Sequence, residues 1–127
     1  MSDVSPRAAV LCVGDELTEG RTLDRHGRYL SALLTELGVT VDRIALVPDE
    51  LDAYRREFLD LLPRVGILLI TGGLGPTSDD LTREAVAEAA QVELAFHEDM
   101  WQWLVNRFRG RKISQTNRKQ AMIPAGF

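Results

Sequence analysis

Two apolar rhythms alternate along the chain, and together they leave few folds open. Ala8 to Val13 and Val65 to Ile70 are short, nearly continuous apolar runs, and Val39 to Val47 is rich in β-branched residues. All three read as strands, the first and third buried on both faces as in a parallel sheet. Between them, Leu30, Leu33, Leu34 and Leu37 recur at helical spacing and stop at Gly38, a residue suited to ending a helix. Leu51, Tyr54, Phe58, Leu61 and Leu62 make a second helical face opposite Asp52, Arg55, Arg56 and Glu57, closed off at Pro63. A third helix is expected over about 83–90, with Asp79, Asp80 or Thr82 as its cap, and a fourth carries Trp101, Leu104, Val105 and Phe108 on one stripe. The order β-α-β-α-β-α-α predicts an α/β sandwich with a largely parallel sheet and right-handed crossovers. Arg118 to Met122 reads as the start of a further ordered element, whereas 123–127 runs out without a strand to close the sheet. The expectation is one domain over 1–127, truncated at its C-terminal end.

Composition narrows the function classes. Hydrophobic residues make up 45% and charged residues 27% of the 127, which is the balance of a folding globular domain. The apolar runs are too short to span a bilayer, and no basic-then-apolar signal pattern opens the chain, so the reading is cytoplasmic with no membrane partner. One cysteine, Cys12, sits inside an apolar run and reads as a small core residue. Fifteen basic against nineteen acidic residues leave a net charge of -4, which argues against nucleic acid as a partner. Yet Arg107, Arg109, Arg111, Lys112, Arg118 and Lys119 fall between Asn106 and Gln120 with no acid among them. That stretch is either a solvated helix end and loop or a local anion-attracting surface.

Ligands of open parallel sheets bind beyond the carboxyl ends of the strands. The segments there are Gly14-Asp15-Glu16-Leu17-Thr18-Glu19-Gly20, Pro48-Asp49-Glu50, and the decapeptide TGGLGPTSDD at 71–80. Gly72, Gly73 and Gly75 permit positive φ and close backbone approach, so several N–H groups can face one anion near a helix N-terminus. The pattern is neither a P-loop nor the dinucleotide fingerprint. The plain reading is a tight turn, with Asp79 as a helix cap; the sharper one is a phosphate cradle. In the sharper one Asp80, with Asp15, Glu16 and Asp49, could converge on a divalent cation, Mg²⁺ or a transition metal, that reconciles the acids with a phosphate.

Gly14-Asp15-Glu16-Leu17, Gly20, Asp24, Tyr29-Leu30, Pro48-Asp49, TGGLGPTSDDLTREAVA and Asn117-Arg118-Lys119-Gln120-Ala121 resemble the N-terminal domain of the CinA (competence/damage-inducible) family. That domain is similar in turn to the molybdopterin-binding proteins MoaB and MogA and to the related domain of MoeA. The resemblance covers nearly the whole chain. It implies a three-layer α/β/α sandwich and a site for a phosphate-bearing pterin or nucleotide. Asp49 and Asp80 match functional site residues, taken as catalytic; Asp15, Glu16 and Asp80 are the candidate metal ligands. Gly14, Gly72, Gly73, Gly75, Thr77, Asn117 and Lys119 are the candidate ligand and phosphate contacts. Where the family carries an Asn, this chain has His26, read as a surface histidine or as a substrate contact. The family continues past this chain's end into a loop and strand that complete the pocket, and its deamidase domain lies outside this chain.

The resemblance implies metal-dependent hydrolysis of a nucleotide diphosphate such as ADP-ribose. The alternatives are molybdopterin binding in molybdenum-cofactor biosynthesis and a non-catalytic oligomerisation module. Trp103, off the apolar stripe of its helix, is expected at the surface in a subunit contact of a homo-oligomer.

Overall fold

From Ala8 onward every residue of β1 (Arg7–Val13) is buried. The structure, a computed structural model, describes residues 5–127; the first four residues of the expected 1–127 domain lie outside it. The described residues form two compact units, one ending at Gly72 and the other beginning at Gly73.

In the first unit β1 lies between β2 (Thr40–Val47) and β3 (Ile67–Thr71), parallel to both, in the order β2-β1-β3. A short α1 (Asp15–Thr18) follows β1, then α2 (His26–Glu36); α3 (Leu51–Leu61) joins β2 to β3. The crossover through α2 runs to one side of β1 and the crossover through α3 runs back past it. Right-handed connections therefore place the two helices on opposite faces of the sheet. The pleat of β1 serves both. Ala8, Val10 and Cys12 point to the face where Leu34 and Leu30 of α2 pack with Val41 and Leu69, and Ala9, Leu11 and Val13 point to the other. Helix α3 buries Tyr54, Phe58 and Leu61 of the stripe read from the sequence, with Ala53 beside them, whereas Leu51 and Leu62 at the two ends of that stripe are exposed. Each such large side chain contributes about 1.5–3 kcal/mol on leaving water.

Helix α2 ends as its glycine predicts. Gly38 takes φ +79, its N–H donates to the Thr35 carbonyl at 3.0 Å, and the Val39 N–H donates to the Leu34 carbonyl at 2.9 Å. The reading of β3 as buried on both faces is corrected: Ile67 is exposed and the other four residues are half-buried. Among the described residues β3 pairs with β1 alone, so one of its edges lacks the neighbour that buries a central strand.

In the second unit α4 (Thr82–Ala90) packs on an antiparallel pair, β4 (Leu94–Phe96) and β5 (Met122–Pro124). Helix α5 (Glu98–Arg107) contacts a 3-10 helix over Gln115–Ala121. The ordered element expected at 118–122 is thus the end of that 3-10 helix, and a short strand occupies part of the stretch where none was expected. No side chain caps α4: its N-cap is Leu81, so none of the expected caps Asp79, Asp80 and Thr82 takes that role. The Thr82 N–H donates to the Gly73 carbonyl at 3.2 Å, which fastens the start of α4 to the start of the loop before it. The stripe of α5 holds: Leu104 is buried, and Trp103 is 55% exposed as its position off the stripe predicts.

Candidate functional site

A sheet ordered 2-1-3 has its topological switch between β1 and β3, so the crevice of the first unit lies at their carboxyl ends. The strands nearly touch there. A Cβ built on Gly72 would stand 2.1 Å from the Val13 carbonyl oxygen, and Gly72 sits at φ +91, so only glycine fits. A cavity of about 460 Å³ opens beside this contact, lined by Cys12, Val13, Glu16, Asp24, His26 and Thr71 among others. His26 is exposed at its rim, as the first of its two readings, a surface histidine, expects, with Nδ1 2.9 Å from the Thr71 hydroxyl.

The floor of the cavity is held by Asp24. Its carboxylate accepts the Gly27 N–H at 3.0 Å, and the missing side chain of Gly27 lets α2 press against Cys12. Burial, then the Asp24 charge and a hydrogen bond to it, push the Cys12 thiol up to about 11, against a smaller lowering contact from the Gly27 backbone. The thiol is a buried core group, as its apolar surroundings predict.

Of the acids expected after β1 and β2, the structure brings Asp15 and Asp49 together. The Asp15 N–H donates to Asp49 Oδ2 at 3.2 Å and the Asp49 N–H donates to Asp15 Oδ1 at 2.9 Å. Glu16 folds back on Gly14, where a Cβ would lie 2.6 Å from its carboxylate oxygens. The Gly14 N–H donates to the Val47 carbonyl at 3.0 Å and carries the β1–β2 pairing into the loops.

In the second unit the loop 73–81 is shaped around the Asp80 carboxylate. Oδ2 accepts the Thr77 N–H at 2.9 Å and the Thr77 hydroxyl at 2.7 Å, and the Gly75 N–H adds a third contact. Gly73 takes positive φ as expected, at +66, whereas Gly75 does not. Gly75 is required instead for close approach, since a Cβ there would lie 2.5 Å from Asp80 Oδ2. Burial alone would raise the Asp80 carboxyl; the Thr77 and Gly75 donors and the Lys119 charge outweigh it and hold the group below its ordinary value.

Two cations grip the carbonyl side of this loop. Lys119 Nζ donates to the Thr77 carbonyl at 2.9 Å and to the Asp80 carbonyl, and pairs with Glu84 at 3.3 Å. Arg83, 9% exposed, donates to the Leu74 carbonyl and, at 3.4 Å, to that of Gly75. The C=O and N–H of a trans peptide point opposite ways, so holding the Thr77 and Asp80 carbonyls turns the Ser78 and Leu81 N–H groups to the other side. Arg83 was not legible as a site residue, because nothing in the segment Leu81-Thr82-Arg83 says that its arginine is buried. Asn117 closes a capping box: Oδ1 accepts the Ser114 N–H at 3.1 Å and Nδ2 donates to Gln120 Oε1 at 2.9 Å.

Among the described residues no group of three or more His, Cys, Asp or Glu side chains is placed to hold a metal ion. The Asp15 and Asp49 carboxylates accept each other's backbone N–H, and that of Asp80 accepts loop donors. These residues do not form a self-standing metal cage, and a cation held by one or two of them would need oxygens from a ligand to complete its shell.

A family model described as "Probable molybdopterin binding domain" matches residues 9–125. A CinA-like protein of Synechococcus sp. (strain CC9311) is 42% identical over 130 residues, covering 99% of this chain and 31% of the relative. The chain spans about 30% of the length of the curated relatives it matches. The crystal structure of CinA from Thermoplasma acidophilum, described as of unknown function, superposes with a TM-score of 0.88 at 30% identity, covering 95% of this chain and 72% of that one. The tungsten cofactor synthesizing protein MoaB from Pyrococcus furiosus, at 20% identity and a TM-score of 0.57 over 85% of this chain and 66% of that one, shares the fold. No helix among the described residues is long and apolar enough to cross a membrane. With the glycine loop, the parallel β2-β1-β3 sheet and these matches all in the expected order, the chain belongs to the CinA-type branch of the molybdopterin-binding-domain family.

Proposed function

We propose that this chain binds a phosphate-bearing pterin or nucleotide through the loop between β3 and α4. The Asp80 carboxylate carries this reading: the Thr77 and Gly75 donors already hold one anionic group. The N–H groups of Ser78 and Leu81, turned away from Lys119 and without a partner among the described residues, remain for phosphate oxygens. Lys119 and Arg83 supply positive charge behind the loop, which favours an anion in front of it. The loop of the second unit thus offers both donors and positive charge to one anion.

The family description supports the pterin arm, a binding role in molybdenum-cofactor biosynthesis. Kinship with CinA supports the nucleotide arm, in which Asp49 and Asp80 would be the catalytic carboxylates for hydrolysis of a diphosphate such as ADP-ribose. A divalent cation held by one or two carboxylates and the ligand's own oxygens would there polarise the phosphoryl centre. Location in the cytoplasm and assembly into a homo-oligomer complete the proposal, the latter with the half-exposed Trp103 as a candidate contact.

The test is incubation with ADP-ribose and a panel of divalent metals. AMP and ribose 5-phosphate, lost in Asp80→Ala, support the nucleotide arm. Tight molybdopterin binding without turnover supports the pterin arm. Neither activity, in a chain that forms a stable dimer or trimer, overturns the ligand reading in favour of a non-catalytic assembly module.

A further inference from the structure

Of the six basic residues between 106 and 120, two are engaged internally. Lys119 holds the glycine loop, and the Arg118 guanidinium lies 4.2 Å from the centre of the Phe96 ring and 5.2 Å from that of Trp101. Arg107, Arg109 and Arg111 instead share the wall of one cavity of about 700 Å³ with Trp103, Asn117 and Gln120. Residues two apart on a helix point nearly opposite ways, so three alternate arginines share a wall only because the helix stops. Helix α5 ends at Arg107, and Arg109 (φ +47) and Gly110 (φ +79) both turn left-handed, which reverses the chain. A non-glycine residue with positive φ is uncommon and is held by its surroundings at a cost.

This charge is uncompensated. No carboxylate lines the cavity, and among the described residues none of the three arginines has an ion pair. Arg107 alone has other company: it sits in the last turn of α5, where a cation suits the helix end, and its guanidinium lies 5.5 Å over the Trp103 ring. Arg109 and Arg111 have neither. Three like charges on one concave wall repel in proportion to their closeness, and a bound anion relieves that repulsion. Guanidinium forks match phosphate oxygens in particular. The exposed Trp103 offers a flat apolar face, and the Gln120 amide, whose oxygen accepts from Asn117, keeps its N–H donors for a polar edge.

We propose that this cavity is a second ligand site, taking a phosphate ester that carries a flat ring, of mononucleotide size and class. Its volume lies within the range of small-molecule pockets. The lining includes Pro76 of the glycine loop and Asn117, but the proposal rests on Arg107, Arg109, Arg111 and Trp103, none of them a contact expected for the first ligand, and it stands whether or not the glycine loop binds its own.

The test is calorimetry and tryptophan fluorescence of the full chain with AMP, inorganic pyrophosphate and adenosine, in parent, Arg109→Gly/Arg111→Ala, Trp103→Ala and Asp80→Asn proteins. Glycine keeps the left-handed backbone at 109, and both arginines are exposed, so the double variant should keep its circular dichroism and Tm. The expected result is a component of AMP binding that weakens at least tenfold in the arginine variant and in high salt and that persists in Asp80→Asn, whatever that variant does to binding at the glycine loop. Trp103→Ala should weaken AMP more than pyrophosphate, and adenosine should bind poorly. AMP affinity unmoved by the arginine variant, or lost only in Asp80→Asn, would overturn the second site. Equal loss of AMP and pyrophosphate in Trp103→Ala would overturn the ring contact.

Discussion

Asp15 and Asp49, thirty-four residues apart, each accept the other's backbone N–H on a carboxylate oxygen, at 3.2 and 2.9 Å. This clamp ties the loop after β1 to the loop after β2 at the end of the sheet where ligands of such folds bind. The aspartates at these two positions are therefore structural partners whatever further chemistry they take part in.

Removing either carboxylate leaves a part-buried N–H without its acceptor. Asp15→Ala and Asp49→Ala should each lower stability by about 1–3 kcal/mol. Asp49→Asn, which keeps an acceptor oxygen, should lose clearly less. Urea midpoints for the singles and the double Ala variant decide it: additive losses would mean the two are not coupled.

Gly72→Ala should be severe, because φ +91 disfavours a side chain and the new methyl would overlap the Val13 carbonyl. Strain and overpacking together put the cost at about 3 kcal/mol or more. Gly38→Ala is the internal control: φ is +79 but nothing lies within 4 Å, so its cost should be about 1 kcal/mol. Equal Tm losses in the two variants would refute the close approach of β1 and β3.

The Asp80 carboxyl is held below its ordinary value, so the unfolded chain binds its proton first as acid is added. The stability it contributes is complete above the unfolded-state pKa of about 3.9 and is lost as pH falls through the lower folded value. Acid unfolding of Asp80→Asn should accordingly be shallower than that of the parent below about pH 4. Parallel acid limbs in the two proteins would show that the Thr77 and Gly75 donors do not bind the charged form.

Cys12 behaves oppositely. Its folded pKa of about 11 lies above the unfolded value, so its contribution is complete below about pH 8.5 and fades as pH rises toward 11. At pH 8 the native thiol should resist alkylation by iodoacetamide, and urea should release full reactivity. Rapid native labelling would contradict its burial against Asp24 and Gly27.

Much of the first unit was legible. Continuous apolar strands, leucines at helical spacing and a terminating Gly38 are local signals, and each element follows within a few residues. Missed were α1, four residues long, and the β4–β5 pair, three residues per strand, because so few positions show no periodicity. At the candidate site, the glycines and acids stand out in the sequence, and their hydrogen-bond partners do not. The pattern Thr77-Ser78-Asp79-Asp80 resembles a capping box, yet Asp80 folds back on Thr77 and Gly75 while Leu81 begins α4.

The sequence by itself determined the α/β class, the order of the main elements and the family, because these depend on side-chain type and on spacing within about ten residues. Only the tertiary structure decided that Asp15 pairs with Asp49, that Lys119 and Arg83 hold the carbonyls of the glycine loop, and that three arginines share one cavity wall with Trp103. Those relationships join residues up to forty-two positions apart or hang on one left-handed turn, and they arise from how packed elements bring backbone and charge together.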